Sequence, residues 1–351
     1  MIVPHYRPSF SEKELKALQT VIASGYIAQN GQVLQLESVL SDFVGKKFGI
    51  AVSSGTSALI LALKALQIKA GDEVIIPSYT CSALWHAVKA VNAVPRFADI
   101  ETATFNLDFS AVKQNISAKT RAIIFPHMFG QPGYIQEIVS LGIPVIEDIA
   151  QAIGATINNQ PVGSFGAISI VSFYATKVIG AGEGGMLFTD EPTVDSYLRD
   201  LREYDEKENL IPRINAKMSD LTAAIALSQF KKLPEFTERR RRILEQYKNI
   251  LGEHMILPAQ NSNLRSNLFR CVAIHPDHNA DQLIHTAEAE DVNIRKPVFR
   301  PLHSYFPGIT LKNTEDAWQK QVSIPLFPDL NAGEIEMVLN FLQKTMGNYN
   351  D

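Results

Sequence analysis

A single lysine, Lys177, lies between an apolar, strand-like run and a cluster of glycines in SFYATKVIGAGEGGMLFT, residues 172–189. A lysine at the end of a strand can simply point into water. Its amine can also condense with an aldehyde to form a Schiff base. The residues around Lys177 do not decide between these alternatives, so the polar groups at the other strand ends must be considered with it.

Two acidic residues follow an earlier apolar run in IPVIEDIAQAIGA. Glu147 and Asp148 stand at the expected carboxyl end of that strand, and Gln151 should lie near the same rim. An acid at this place is either a surface turn residue or a buried carboxylate that needs a cationic partner, because burial of an unpaired charge is costly.

A possible phosphate site begins the helical run in AVSSGTSALILALKAL. Small residues at a helix N-terminus leave backbone N–H groups free for an anion, with the positive end of the helix dipole behind them. Gly55 and Thr56 are therefore candidate phosphate ligands, together with Ser172 on the strand that enters the lysine turn. The alternative is an ordinary serine N-cap.

The glycines near the lysine resemble a dinucleotide motif but lack its context. Gly180, Gly182 and Gly185 spell GxGxxG, yet the strand-and-turn residues MLFTDEP follow at once. A dinucleotide fingerprint requires a helix that opens inside the motif. We therefore predict a tight turn that allows close backbone approach, and no nicotinamide site.

Considered together, the polar groups match one cofactor. Pyridoxal phosphate has a phosphate, a ring nitrogen that must stay protonated, and an aldehyde that condenses with lysine. The helix N-terminus would bind the phosphate, the Asp148 carboxylate would keep the ring nitrogen protonated, and the Lys177 amine would condense with the aldehyde. We expect pyridoxal phosphate as the cofactor and no metal site.

Alternating elements should position these groups. From Phe48, short strand-like segments alternate with helix-like segments, which predicts a mostly parallel sheet covered on both faces. Ligands of such sheets lie beyond the carboxyl ends of the strands. The pattern turns helical from about Pro192. We predict a large domain, residues 1–235 with an N-terminal helical segment, joined by a long helix from about 234 to a small α/β domain, residues 236–351.

The composition excludes several classes of protein. The 351 residues are 46% apolar and 20% charged with a net charge of −4, which is typical of a soluble globular protein and argues against nucleic-acid or membrane binding. Two cysteines and the absence of a signal-peptide layout indicate a cytoplasmic protein. Arg239–Arg242, flanked by glutamates, should form a solvated or subunit-facing helix surface.

Several motifs in order make the chain familiar, among them AVSSGTSAL, GDEVIIPSYT, VIEDIAQAIGA, SFYATKVIGAGEGGML and NAKMSDLTAAIAL. The chain resembles the sugar aminotransferase family of the DegT/StrS type, which are pyridoxal-phosphate enzymes of the aspartate-aminotransferase fold (fold type I). The resemblance implies an α/β fold, with a mostly parallel seven-stranded sheet in the large domain and a smaller C-terminal α/β domain.

The resemblance also implies roles for the candidate residues. Lys177 would form the Schiff base with the cofactor, Asp148 would pair with the pyridine nitrogen, and Gln151 would lie near the phenolic oxygen. Where the family often has an aromatic residue stacked on the ring, this chain has Cys81. Trp85, one helical turn later, is a possible substitute.

The phosphate ligands implied by the resemblance are Ser172 and the backbone of Gly55 and Thr56. Asn215, in NAKMSD, matches an asparagine that reaches the phosphate of the neighbouring subunit's cofactor, although the motif around it is a variant. That role implies a homodimer with shared active sites.

The resemblance implies the conversion of a nucleotide-linked keto-sugar to an amino sugar, with L-glutamate, or less often glutamine, as the amino donor. Arg295, Lys296 and His303 are possible contacts of the nucleotide, or ordinary surface residues. A keto-cyclitol acceptor is the alternative within the same chemistry. A non-catalytic sensor is disfavoured, because such a protein could lose Lys177 or Asp148 and this chain keeps both.

Overall fold

The computed structural model describes residues 2–259, 261–275 and 277–346. Its helices are α1 (Glu12–Ser24), α2 (Gly31–Val44), α3 (Gly55–Ala65), α4 (Ala83–Ala90), α5 (Phe109–Asn115), α6 (Ile135–Val139), α7 (Pro192–Leu201), α8 (Asp220–Lys231), α9 (Leu233–Leu251), α10 (Ala280–Ala289), α11 (Lys312–Lys320) and α12 (Ala332–Met346). Its strands are β1 (Phe48–Val52), β2 (Glu73–Pro77), β3 (Val94–Ala98), β4 (Thr120–Pro126), β5 (Val145–Asp148), β6 (Thr156–Ile157), β7 (Gln160–Pro161), β8 (Ile168–Ser172), β9 (Gly185–Thr189), β10 (Met255–Leu257), β11 (Leu264–Arg265), β12 (Cys271–Ile274) and β13 (Gln321–Ile324).

Seven strands form the central sheet, in the order β1-β9-β8-β5-β4-β2-β3. The strands from β8 to β3 pair in parallel, and β9 runs antiparallel to both of its neighbours. Separate apolar clusters cover the two faces of the sheet. The predicted α/β class with a mostly parallel seven-stranded sheet is confirmed, and the burial on both faces explains why its strands read as continuous apolar runs.

The first helix begins where the sequence indicates. Ser11 caps α1, and Glu14 completes the predicted capping box. Gly25 then ends the helix in the left-handed region, at φ 77°. Helix α1 packs against α8, where Glu14 forms a buried ion pair with Lys232 at 2.8 Å.

The C-terminal part of the chain forms a second, antiparallel sheet in the order β10-β12-β13, with its own apolar cluster. Helix α9 begins at Leu233, beside the predicted start of the linking helix at 234. The division into two domains near residue 235 stays a prediction. The N-terminal segment lies on the C-terminal part, since Val3 pairs with Val292 and Arg7 forms an ion pair with Glu334 at 2.9 Å.

Within the described ranges, no helix combines the length and the apolar content needed to cross a membrane.

Candidate functional site

A cavity of about 270 Å³ lies at the carboxyl ends of β4, β5 and β8, where ligands of parallel sheets bind. The structure brings all but one of the predicted site residues to its walls, and these are Gly55, Thr56, Asp148, Gln151, Ser172 and Lys177. Asn215 is the exception: it is exposed and is not among the lining residues.

One end of the cavity is the N-terminus of α3. Ser54 caps the helix by accepting the Ser57 N–H at 3.0 Å, so the backbone N–H groups of Gly55 and Thr56 lack intrahelical partners. A Cβ on Gly55 would lie 2.8 Å from the Cβ of Ser172. Glycine at this position therefore lets the helix end approach the Ser172 hydroxyl, and an anion can be held by both.

The glycine cluster closes on the same helix end. A Cβ on Gly185 would lie 2.5 Å from the carbonyl carbon of Ser54, and Gly184 has a φ of 132° that favours glycine. Strand β9 begins at Gly185, so no helix opens inside the GxGxxG spelling. The cluster is the tight turn that its sequence context indicates.

Asp148 ends β5 and its carboxyl group is buried against the cavity. Its Oδ1 accepts the Ala150 N–H at 2.9 Å. Burial raises the pKa of Asp148, against the opposing effects of that hydrogen bond and of the charges of Lys177 and His127. No ion pair reaches this carboxylate within the described part of the chain, and a protonated pyridine nitrogen would supply one.

Glu147, the neighbouring acid, points to the opposite face of the strand, because side chains alternate along β-structure. His127 Nδ1 accepts the Gly133 N–H, so its Nε2 donates to Glu147 Oε1 at 3.0 Å. Three backbone N–H groups of residues 163–166 also donate to Glu147, at 2.5–2.9 Å. Glu147 therefore fastens the loop after β7 and does not face the cavity.

Lys177 lies half-buried in the turn between β8 and β9. Its backbone N–H donates to the Tyr174 carbonyl at 2.8 Å. The Tyr6 hydroxyl, from the N-terminal segment, donates to the Lys177 carbonyl at 3.3 Å. The backbone that carries the amine is thus held from both sides.

The side walls contain Gln151 and Cys81. Gln151 Oε1 accepts the Phe129 N–H at 2.8 Å, which fixes the amide. Cys81 lines the cavity, whereas Trp85 lines a separate groove and packs on Phe306 with ring centroids 6.2 Å apart. Cys81, at the position where the resemblance leads us to expect an aromatic residue, therefore lines the cavity, and Trp85 does not.

Sequence reasoning missed some lining residues and proposed others that lie elsewhere. The cavity is also lined by residues that were not singled out from the sequence, namely Glu183, His127, Met128 and Tyr174. Among them, Glu183 is a charge inside the glycine turn, which is a signal that the sequence displays. His303 is buried between Ser78 (2.6 Å) and Glu315 (3.2 Å), and Lys296 pairs with Asp281 (2.8 Å). Neither these two residues nor Arg295 lines the cavity.

The residues present fit pyridoxal phosphate. The close approach of Gly55 to Ser172 forms an anion cradle that any larger residue would fill. A buried carboxylate without an ion pair faces the cavity, and a lysine lines the same walls. In the ranges described, no group of three or more His, Cys, Asp or Glu side chains is placed to hold a metal ion.

Comparison with known proteins gives one matching family model and many similar structures. The model of the DegT/DnrJ/EryC1/StrS aminotransferase family matches residues 8–343. The chain is 26% identical to the aminotransferase TlmJ from Streptoalloteichus hindustanus, with a TM-score of 0.92 and 98% of each chain covered.

Two further structures share the fold. The PLP-form of the putative sugar aminotransferase Spr1654 from Streptococcus pneumoniae is 21% identical, with a TM-score of 0.92 and 99% of each chain covered. DesI, crystallised in the presence of its TDP-sugar product, is 24% identical, with a TM-score of 0.91 and coverage of 99% of this chain and 93% of that one.

Proposed function

The chain belongs to the DegT/DnrJ/EryC1/StrS aminotransferase family of pyridoxal-phosphate enzymes, and we propose that it transfers an amino group from L-glutamate to a nucleotide-linked keto-sugar. One observation carries the proposal. Lys177 and Asp148 line the same cavity, beside an anion cradle at the N-terminus of α3. These groups match what the cofactor requires, which is an amine for its aldehyde, a carboxylate for its protonated ring nitrogen and hydrogen-bond donors for its phosphate.

The cofactor's contacts are assigned from the cavity walls. Ser172 and the backbone N–H groups of Gly55 and Thr56 would hold the phosphate. The Asp148 carboxylate would pair with the protonated ring nitrogen, and Gln151 would lie near the phenolic oxygen. When bound, pyridoxal phosphate supplies an electron sink for the carbanion that forms next to the transferred nitrogen.

Lys177 moves the proton. Its amine would attach the resting cofactor and, once released, would remove the proton from the α-carbon of the amino donor as a general base. In the second half-reaction the same amine would deliver a proton to the sugar carbon that gains nitrogen. In both half-reactions the buried Asp148 carboxylate would keep the ring nitrogen protonated. Each charge stabilises the other strongly there, because water is excluded from the site.

The acceptor is proposed from the family and from one structural relative. DesI was crystallised with its TDP-sugar product, and this chain shares its fold. Lys177 is the one lysine or arginine among the described residues that line the cavity, so a nucleotide diphosphate would be bound outside it. Exposed Arg295 stays a candidate for that contact.

The acceptor proposal is tested by single-turnover amination. Protein loaded with the aminated cofactor is mixed with a nucleotide-linked keto-sugar, the same sugar without its nucleotide, and a keto-cyclitol. We expect the nucleotide-linked sugar to react fastest. A preference for the keto-cyclitol would replace the proposed acceptor and leave the cofactor chemistry standing.

A homodimer is proposed from the exposed surface near Asn215. Tyr26, Ile27 and Leu34 are each more than half exposed. They flank a loop whose N–H groups donate to the Asp220 carboxylate, so they lie beside the segment that carries Asn215. A second copy covering this face would bury the apolar side chains and let Asn215 reach the partner's cofactor. Light scattering should give a dimer, and a fully active monomer would contradict the proposal.

A further inference from the structure

The N-terminal strap, which we define as residues 3–9, connects the C-terminal part of the chain to the lysine turn. Both neighbours of Tyr6 are fixed to the C-terminal part: His5 Nε2 lies 3.0 Å from Ser323 Oγ, and Arg7 donates two hydrogen bonds of 2.9 Å to Glu334. A bidentate arginine–carboxylate pair fixes the geometry of its partners. The position of Tyr6 is therefore set by β13 and α12.

Tyr6 is the contact between the strap and the lysine turn. Its hydroxyl donates to the Lys177 carbonyl at 3.3 Å, and its ring packs edge-on against Phe327 with ring centroids 6.0 Å apart. Burial raises the pKa of Tyr6, against the charges of Arg240 and Arg270. The hydroxyl therefore keeps its proton at neutral pH and acts as a donor.

The Lys177 carbonyl accepts no other hydrogen bond in the part of the chain that the structure describes. Val178 and Ile179, the next two residues, are buried, so they anchor the turn on that side. Gly182 and Gly184 follow with φ values of 86° and 132°, and glycine backbone is the most mobile. Loss of the Tyr6 bond should therefore shift the lysine without unfolding the turn.

We propose that Tyr6 is a positioning residue for Lys177, through which the strap sets the position of the lysine backbone from the C-terminal part of the chain. The inference rests on the proposed function, in which the Lys177 amine moves the proton. Proton transfer requires the amine within hydrogen-bond reach of the reacting carbon, and small misplacements slow it strongly. Tyr6 does not line the cavity, so it should act on the rate of the transfer and not on the affinity for the amino donor.

The test compares two tyrosines whose hydroxyls both donate to a backbone carbonyl. Tyr6→Phe removes the bond to Lys177. The matched control, Tyr247→Phe, removes a buried bond of 3.0 Å to the Pro325 carbonyl. Each variant is loaded with pyridoxal phosphate and mixed with a range of L-glutamate concentrations, and the bleaching of the visible band is followed in a single turnover. The maximal rate and the half-saturating concentration are thereby measured separately.

We expect Tyr6→Phe to bleach about 10-fold more slowly at saturating L-glutamate, with an unchanged half-saturating concentration. Tyr247→Phe should lower the unfolding temperature and keep the wild-type rate. An unchanged maximal rate in Tyr6→Phe overturns the inference. A higher half-saturating concentration alone also overturns it, since that result indicates contact with the donor. An equal loss of rate in Tyr247→Phe does the same, because it indicates a general loosening of the fold.

A second variant tests the strap as the route. Arg7→Gln weakens the anchor beside Tyr6 and keeps the hydroxyl, so bleaching should slow about 3-fold. The double variant should be no slower than Tyr6→Phe alone, because Arg7 acts through Tyr6. Losses that multiply in the double variant overturn the inference. If Tyr6→Phe does not fold, Arg7→Gln decides, and a wild-type rate in it overturns the inference.

These results are distinguishable from a failure of the proposed function. A wild-type protein that forms no visible band, or whose band no amino acid bleaches, overturns the proposed function and the inference with it. A wild type that bleaches normally keeps the proposed function, whatever the result in the Tyr6 and Arg7 variants.

Discussion

Glu147 and Asp148, the two carboxylates that end β5, are both buried, but they differ in how many of their hydrogen bonds the chain supplies. Glu147 accepts from His127 and from three backbone N–H groups. Asp148 accepts one, from Ala150. Since buried polar groups are normally satisfied, a group left open on a cavity wall indicates a ligand, and a group fully satisfied indicates structure.

A similar contrast separates Arg202 from Arg240. Arg202 Nη1 donates to Glu37 at 2.6 Å and to the Ala51 carbonyl at 2.9 Å, which ties the end of α7 to the sheet edge. Arg240 belongs to the run Arg239–Arg242, which the sequence predicts to lie on a helix surface, but it turns inward and is 1% exposed. Its Nε and Nη1 have no hydrogen-bond partner among the residues described.

The largest expected effect is on stability, at Glu147. Glu147→Gln places an NH₂ group against donors that now point at a carboxylate, so folding should lose about 3 kcal/mol. Urea unfolding of the apoprotein measures the loss, with exposed Glu137→Gln as the control. If Glu147→Gln unfolded at the same urea concentration as the control, the hydrogen bonds of Glu147 would not stabilise the fold, and the contrast with Asp148 would fail.

Asp148→Asn should show the opposite behaviour. Removing the ring partner should weaken cofactor binding about 10- to 100-fold. Burial raises the pKa of Asp148, so its contribution to apoprotein stability is complete below the unfolded pKa and is lost as pH rises through the folded pKa. The neutral variant should therefore match the wild type in acid and be more stable near neutral pH. Thermal unfolding across this pH range, with and without cofactor, checks both parts. A destabilised apoprotein at neutral pH would place Asp148 with the structural acids.

Gly55→Ala tests the anion cradle. The added Cβ would lie 2.8 Å from that of Ser172, so the helix end must shift, at a cost of about 1–3 kcal/mol in folding and a weaker hold on the phosphate. Gly31→Ala is the matched control, since a Cβ there meets nothing within 4 Å. In cofactor titrations Gly55→Ala should bind pyridoxal phosphate more weakly than Gly31→Ala. Equal affinities would show that the approach of Gly55 to Ser172 does not form the phosphate site.

The smallest expected effects concern the ring face. Cys81→Phe adds an aromatic side chain to the cavity wall and should strengthen cofactor binding by about 1 kcal/mol if the ring lies there. Trp85→Phe, in the separate groove, should leave the affinity unchanged. The reverse order in fluorescence titrations would show that the groove, and not Cys81, adjoins the ring.

The sequence predicts well what local patterns encode. Apolar runs locate the strands of the central sheet, and Ser11 with Glu14 marks the start of α1. Polar residues at the ends of parallel strands lie together, because parallel strands end at one edge of the sheet. The sequence therefore predicts that Asp148 and Lys177 belong to one site.

Contacts between distant segments could not be predicted in this way. The Tyr6 hydroxyl bonds to the carbonyl of Lys177, which lies 171 positions later in the chain, and no local sequence pattern predicts such a contact. Arg240 turns inward because it lies on the face of α9 that meets the core. Four successive arginines give no apolar pattern from which that face could be identified. Glu147 and Asp148 look alike in sequence, and only the loop at residues 163–166 distinguishes them.

The most direct test of the central claim is the visible absorption spectrum of the purified protein with pyridoxal phosphate, before and after L-glutamate, beside Lys177→Ala. We predict a yellow band that bleaches with L-glutamate and is missing from the variant, because the amine of Lys177 holds the cofactor and begins the transfer. A protein that stays colourless with added pyridoxal phosphate, or a Lys177→Ala variant with the same bleachable band, would contradict the assignment of this cavity as an aminotransferase site.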